Sequence, residues 1–100
     1  MGKSIPVEVG GKRFPTKGML TTHIRELIGR HSVGAFLDEE DMGFCLALFK
    51  FHPEAASKFG PGISKIEVRR DEYGNKHFQV HRSDGSNDDI SWVHCVRFAR

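Results

Sequence analysis

The apolar positions in the first third of the chain follow two different periods. The stretch IPVEV alternates apolar with polar residues, and Gly10–Gly11 separates it from the short run KRF, which predicts a tight β-hairpin. In TKGMLTTHIRELIGRH the apolar residues then recur at the i, i+4, i+7 and i+8 spacing of one helix face. Thr16 stands where the cap of this helix is expected. The pattern therefore predicts a hairpin followed by an amphipathic helix.

A second helix is predicted in LDEEDMGFCLALFKFHP, after the loop SVGAF. Its apolar residues cover most of the helix circumference, so we expect this helix to be well buried. Asp38 is a natural N-cap, and the acidic residues after it lie in the first turn, where the helix dipole favours negative charge. The acidic run is therefore interpreted as a helix start rather than as a metal or substrate site. Pro53 ends the helix soon after His52.

From Gly62 onward the period changes to two residues, which is typical of strands with one buried face. Three strands are predicted, in ISKIEVRR, KHFQVHR and DISWVHCVRF, with turns at DEYGN and SDGSND and with EAASKFGPG as the connector before them. The positions predicted to be buried are Ile66, Val68, Phe78, Val80, Ile90 and Trp92. The sequence thus predicts an α+β fold. An N-terminal β-hairpin and two α-helices precede a three-stranded antiparallel β-meander, the helices pack on one face, and residues 1–100 form a single domain.

Length and composition limit the classes of function. A chain of 100 residues supports one modest core and little room for a deep pocket, so we expect no small-molecule cofactor. The net charge of +2 is too small to identify a partner, although residues 1–31 carry six Lys and Arg against two Glu. Two cysteines are fewer than a small secreted domain usually has, and neither a secretory signal nor a membrane-length apolar stretch is visible. We expect a cytoplasmic location with no membrane contact.

Residues 81–95, HRSDGSNDDISWVHC, hold many of the reactive side chains and raise the question of catalysis. A zinc site is disfavoured because His77 and His81 would stand about 13 Å apart along one strand. His94 and Cys95 would point to opposite faces of the next strand. Cys95 is flanked by valines, so a buried structural thiol is favoured over a nucleophile.

The acidic part of this stretch leaves two interpretations open. Asp84, Asp88, Asp89 and His81 offer ligands for Mg²⁺, which would support a metal-dependent nuclease. Asp, Asn, Gly and Ser are also the residues that build tight turns, and this structural interpretation is favoured. The residues predicted to hold the turn by hydrogen bonds are Arg82, Asp84, Asp89 and Ser91, and Gly85 and Cys95 are assigned as further structural residues of the motif. No catalytic residue and no metal ligand is predicted, and His81 is left to face a ligand.

Basic and flat side chains alternate on the outward face of the predicted meander. Such a surface can hold phosphates and stack unpaired bases, as single-stranded RNA requires. The residues predicted to contact RNA are Lys12 and Arg13 of the hairpin and Lys65, Arg69, His81 and Arg82 of the sheet, with Tyr73 and His77 as aromatic neighbours.

The second half of the chain also carries a series of short motifs. These are His52-Pro53, K-x-G-x-G-I at 58–63, I-x-V at 66–68, R-x-D-G at 82–85, and D-x-S at 89–91 followed by Cys95. In this order they resemble the defective chloroplasts and leaves (DCL) family. The resemblance implies a small domain of unknown function in bacteria and supplies no catalytic residues. It also implies an association of plant members with chloroplast ribosomal RNA maturation, and a similar domain in the tail of a plant-specific RNA polymerase largest subunit.

This sequence departs from the pattern of that family at two positions. Ile90 stands where an aromatic residue is common, and His94 stands where a basic residue commonly precedes the cysteine. A histidine there carries less positive charge at neutral pH, which weakens an RNA contact at that position.

The residues and the resemblance together predict a small non-enzymatic module that binds RNA, as an accessory in ribosomal RNA processing. A protein–protein interaction module is the first alternative, and it predicts an exposed apolar area or an open sheet edge. A metal-dependent nuclease that uses Asp84, Asp88 and His81 is the second.

Overall fold

The computed structural model describes residues 6–100. Its elements are, in chain order, β1 (Val7–Val9), β2 (Lys12–Phe14), α1 (Lys17–Gly29), α2 (Glu39–Phe49), α3 (Ala55–Phe59), β3 (Ile63–Arg70), β4 (Lys76–Arg82), β5 (Asn87–Ile90) and α4 (Trp92–Phe98). Strands β1 and β2 form a hairpin, and β3, β4 and β5 form an antiparallel sheet in that order. The predicted α+β class and its order of elements are confirmed. Ile5, in the predicted first strand, lies outside the described residues.

Three local signals in the first half of the chain act as predicted. Gly10 and Gly11 have φ values of +58° and +83° at the hairpin turn, a backbone region that glycine enters at little cost. The Thr16 hydroxyl accepts the N–H of Met19 at the start of α1. The Asp38 carboxylate accepts the N–H of Asp41 at the start of α2. Each cap satisfies a backbone donor that the first helical turn leaves unpaired.

The core lies between the three-stranded sheet and the helices. The apolar side chains on the inner face of the sheet are fully buried, and they are Ile66, Val68, Phe78, Val80 and Ile90. The ring of Phe78 meets the ring of Phe49 from α2 edge to face, with centroids 5.6 Å apart. Both cysteines are buried in the same cluster. The helices thus cover one face of the sheet, as the alternation predicts.

One edge of the sheet is covered by the segment that was predicted to be a loop. Backbone hydrogen bonds of 2.7–2.9 Å join residues 34–37 to residues 66–68 of β3. They place Phe36 opposite Glu67 in an antiparallel bridge. The edge of β3 is therefore paired along these residues, and the free edge of the sheet is β5.

The prediction of a long third strand is wrong beyond Ile90. Strand β5 ends at Ile90, and Ser91 caps helix α4 by accepting the N–H of His94 at 3.4 Å. Trp92 therefore lies on α4, not on the inner face of the sheet. The residues that α4 buries, Cys95 and Val96, follow Trp92 at the helical spacing, which a strand alternation does not explain.

The connector between α2 and the sheet also contains a helix that was not predicted. Helix α2 ends at Phe49 rather than at Pro53, and the short helix α3 occupies Ala55–Phe59 inside the predicted connector. Lys58 of α3 thereby reaches the end of the sheet, where its ammonium donates to the carboxylate of Asp88.

A buried histidine behind α2 gives the fold a pH dependence. His52 is buried, and its Nδ1 accepts the N–H of Glu54 at 2.9 Å. Burial, with the charges of Lys58 and His94 nearby, lowers the pKa of His52 below its usual 6.5. The unfolded chain therefore takes up a proton at this residue that the folded chain does not, and stability falls as the pH falls through that range.

We expect the free energy of unfolding to be lower at pH 5.5 than at pH 7.5. One such histidine contributes at most about 1.4 kcal/mol per pH unit. Urea unfolding at the two pH values measures this difference in the free energy of unfolding. In His52→Asn the side-chain oxygen can replace Nδ1 as acceptor, and we expect the difference between the two pH values to become smaller. The pKa of His23 is also lowered, by burial and by the charges of Lys12 and Arg30. Because His23 remains in His52→Asn, that variant keeps part of the pH dependence of stability. An unchanged slope in His52→Asn would contradict the assignment.

Candidate nucleic-acid interface

The face of the sheet that points away from the helices carries the polar side chains of alternate strand positions. The register pairs Lys65 with His81, Glu67 with Gln79, and Arg69 with His77. Residues paired directly across two strands project on the same side, so these six side chains share one surface. We call this surface, together with Phe36, the outer sheet face.

An aromatic ring lies at one end of the outer sheet face. Phe36 is 47% exposed, and its position is set by the backbone bridge to Glu67. The Lys65 ammonium lies 4.5 Å from the centroid of the Phe36 ring, within cation–π range. The imidazole of His81 meets the same ring edge to face, with centroids 5.7 Å apart. The result is an exposed ring with a cation above it and a second flat ring beside it.

The sequence-based prediction did not include Phe36. It lies in SVGAF, where no period is visible, and only its pairing with β3 brings it to the sheet. The one signal in the sequence that could have indicated a role for Phe36 was the presence of a large apolar residue in a loop.

A carboxylate at the centre of the outer sheet face fixes its cations. Glu67 Oε1 lies 2.8 Å from Nε2 of His81 and accepts a hydrogen bond from Nε of Arg69 at 3.1 Å. The bond to His81, aided by Arg69, lowers the pKa of Glu67 despite partial burial. Glu67 therefore stays ionised near neutral pH and holds both partners in place. It also neutralises part of their charge.

Arg82 belongs to the framework beneath this surface rather than to the surface. Its side chain is 12% exposed. Its guanidinium donates to the carbonyl of Lys58 at 2.9 Å, to the hydroxyl of Ser86 at 3.1 Å and to Asp88 at 3.4 Å. We therefore leave Arg82 out of the interface, because its donors are occupied by the turn and by α3.

The hairpin cations lie elsewhere in the molecule. Lys12 and Arg13 are exposed on β2, which belongs to the separate two-stranded sheet. Lys12 borders a cavity of about 560 Å³ with residues of α1 and α2. Of the six residues predicted to contact RNA, the sheet therefore brings together Lys65, Arg69 and His81.

The predicted turn between β4 and β5 is present, although Ser86, which was not assigned to it, makes two of its hydrogen bonds. Asp84 accepts the N–H and the hydroxyl of Ser86 at 2.9 and 2.6 Å, and Gly85 adopts a φ of +89°. Of the aspartates on β5, Asp88 binds Arg82 and Lys58, while Asp89 contributes its backbone carbonyl. The assignment of Ser91 to the turn is corrected, because Ser91 caps α4.

The three side chains proposed for a nuclease do not converge. His81 pairs with Asn87, whereas Asp88 pairs with Val80, so His81 and Asp88 project on opposite faces of the sheet. Asp84 is engaged within its own turn. A shared Mg²⁺ site for these residues has no geometric support.

Cys95 is buried, as predicted, although it lies on a helix rather than on a strand. Its Sγ donates to the carbonyl of Ser91 at 3.3 Å, and burial raises its pKa to about 12. A thiol with such a pKa is protonated at neutral pH and is a poor nucleophile.

Within residues 6–100, one cluster of three possible metal ligands occurs, formed by His31, Asp38 and Asp41. Arg30 donates to both carboxylate oxygens of Asp41 at 3.2 Å, and Asp41 lies 2.8 Å from His31 Nε2. Asp38 is the cap of α2. An arginine in contact with the carboxylate disfavours a bound cation, so the cluster is an ion-pair junction between α1 and α2.

A model of the family described as "Protein of unknown function (DUF3223)" matches residues 25–96. This match covers most of the chain, including the whole outer sheet face. The chain belongs to this family. The DCL assignment made from the motifs is therefore wrong, because the matching family model is a different one.

Two relatives of the DUF3223 chain are informative. The solution NMR structure of an uncharacterized protein from Rhodospirillum rubrum is similar, with a TM-score of 0.87, 34% identity, and coverage of 95% of this chain and 91% of that one. The Arabidopsis thaliana DNA-directed RNA polymerase IV subunit 1 is 30% identical over 98 residues. That match covers 95% of this chain but only 7% of the polymerase subunit. No helix in the described range, residues 6–100, has the length and apolar character that crossing a membrane requires.

Proposed function

We propose that this DUF3223 domain is a non-enzymatic module that binds single-stranded RNA on its outer sheet face. The observation that carries the proposal is the Phe36 ring with Lys65 above it and His81 beside it. An exposed ring offers a stacking surface to any unpaired base, and a neighbouring ammonium can hold the phosphate of the same nucleotide.

The geometry favours single strands over a duplex. The outer sheet face is the surface of a pleated sheet, and its polar groups project from neighbouring strands at close spacing. Bases must be unstacked and splayed to reach such a surface, which a duplex does not allow. Gln79 is buried and donates to the side-chain oxygen of the exposed Asn87 at 2.7 Å on the same face, which leaves the amide nitrogen of Asn87 available to base edges.

The comparison with known proteins supports the proposal at one point. One relative is a subunit of an RNA polymerase, although this chain matches only a small part of it. Ribosomal RNA processing was expected only because of the resemblance to the DCL family. Since that assignment is wrong, this expectation has lost its support. A cytoplasmic location also remains a prediction.

The salt dependence of binding tests the proposal. Lys65 and Arg69 are two cations on this face, and each phosphate contact with a single strand contributes about −0.7 to the slope of log K against log salt. Because Glu67 neutralises part of the charge of Arg69, we expect a slope between about −0.7 and −1.4, or an affinity about three- to sevenfold weaker at 200 mM than at 50 mM salt. Fluorescence anisotropy with labelled oligo-uridine and oligo-adenosine measures it.

The matched variant is Lys65→Gln, which is expected to reduce the slope by about 0.7. Arg70→Gln is the control, since Arg70 is an exposed cation on the same strand outside the defined face. The proposal fails if oligonucleotides produce no amide shifts on β3 and β4 in NMR spectra at low salt. It also fails if the slope of Lys65→Gln equals that of the unmodified chain.

A further inference from the structure

A groove between α1 and α4 forms a second surface that the proposed RNA interface does not use. Its volume is about 390 Å³. It is lined by Lys17, Thr21 and Arg25 of α1 and by Trp92, Val93, Val96 and Arg97 of α4. Lys17, Thr21 and Arg25 follow one another at intervals of four residues and so form one stripe of α1. We call this surface the cationic groove.

The lining of the cationic groove carries positive charge and no acidic side chain. It contains three cations. Lys17 donates to the backbone carbonyl of Arg97. Among the described residues, no carboxylate lies within ion-pair distance of the Arg25 or Arg97 side chain. Both arginines are exposed and have donors free for a ligand.

The floor of the cationic groove is apolar. Val96 is buried, Trp92 is half-buried, and Val93 is 53% exposed. A valine with half its surface in water at the bottom of a groove gains free energy when a partner covers it. A floor of one indole ring and two valines accommodates a branched or aromatic side chain of a partner.

We propose that the cationic groove binds an acidic peptide segment of another protein. One apolar side chain of the peptide would lie on Trp92 and Val93, and carboxylates on both sides of it would pair with Arg25 at one end and with Arg97 and Lys17 at the other. Lys17 and Arg25 are eight residues apart on α1, which corresponds to about 12 Å. This distance matches carboxylates two helical turns apart, or four residues apart in an extended peptide.

The surroundings of the groove favour a short peptide over a polyanion. A larger cleft of about 610 Å³ continues from Arg25, Trp92 and Val93, and its lining includes the carboxylates of Asp71 and Asp89. A nucleic-acid backbone that ran on from the groove would meet these two negative charges. A short peptide with an apolar centre and one acidic segment on each side fits within the groove and does not extend to Asp71 and Asp89.

The single tryptophan of the chain makes the test direct, because Trp92 lies in the groove. The probe is a fluorescein-labelled twelve-residue peptide with a central Leu-Phe pair and glutamates on both sides. We expect saturable binding by anisotropy, and a change in the emission of Trp92 when the unlabelled peptide is titrated. The double variant Arg25→Glu/Arg97→Glu is expected to bind at least about tenfold more weakly. The matched control Arg70→Glu carries an exposed charge change outside the groove and is expected to bind normally.

Four outcomes would overturn the proposal. They are no binding of the glutamate peptide at millimolar concentration, equal binding of a peptide with glutamine in place of glutamate, unchanged binding by the double variant, and displacement of the peptide by oligo-uridine. Circular dichroism confirms that the double variant is folded, which we expect because both arginines are exposed. RNA binding to the outer sheet face is measured separately through Lys65→Gln, so either proposal can fail without the other.

Discussion

Replacing Phe36 with alanine is expected to weaken the binding of single-stranded RNA by about 5- to 150-fold. The stacking of a base on an aromatic side chain contributes about 1–3 kcal/mol, and alanine removes all of it. The Lys65 ammonium also loses the ring that positions it. Fluorescence anisotropy with labelled oligo-uridine at 50 mM salt measures the change, and Phe36→Trp is expected to retain binding.

Two controls separate this effect from loss of structure and from non-specific stacking. Phe36 is half exposed and its pairing with β3 runs through the backbone, so the thermal midpoint of Phe36→Ala should remain close to that of the unmodified chain. Tyr73 is 81% exposed in the turn between β3 and β4, and Tyr73→Ala should bind RNA normally. Equal losses in the two alanine variants would mean that Phe36 has no special role.

Replacing Arg82 with methionine is expected to lower the free energy of unfolding by about 2–3 kcal/mol. Methionine retains apolar length but removes every donor of the guanidinium. The carbonyl of Lys58 and the hydroxyl of Ser86 lose a partner in a partly buried position, and Asp88 loses one of the two cations that bind it. Urea denaturation at pH 7 measures the loss.

The Arg82→Met variant also distinguishes a role of Arg82 in stabilising the fold from a role in binding RNA. Arg70→Met, on an exposed position of β3, is the matched control and should change stability by less than about 0.5 kcal/mol. Arg82→Lys should restore little, because one ammonium cannot reach partners on both α3 and the turn. An Arg82→Met chain of unchanged stability that has lost RNA binding would place Arg82 in the interface instead.

The elements that could be predicted from sequence are those whose signals are local. Thr16 and Asp38 precede apolar residues at helical spacing, and each cap depends on atoms only three residues away. The two-residue period from Ile63 to Arg82 likewise reports directly which side chains the helices bury. Helix α4 was missed because Ile90 and Trp92 continue the alternation of a strand, and the cap at Ser91 that interrupts it is a weak signal alone.

The candidate site was only partly predictable because it depends on contacts between distant parts of the chain. Lys65, Arg69 and His81 were placed together by strand alternation, since register follows from the hairpin. Phe36 joins them through pairing with residues about thirty positions later, which no local pattern reports. Arg82 looked like a free cation because its partners Lys58 and Ser86 lie on α3 and in the turn.

The two edges of the sheet also bear on how copies of this chain behave at high concentration. An unpaired strand edge invites a second copy to add to the sheet, which is a common route to aggregation. Residues 34–37 occupy one edge, and the other, β5, is only four residues long and carries Asp88 and Asp89. Two copies that met along β5 would bring these like charges together, so the edge that the fold leaves open discourages self-assembly.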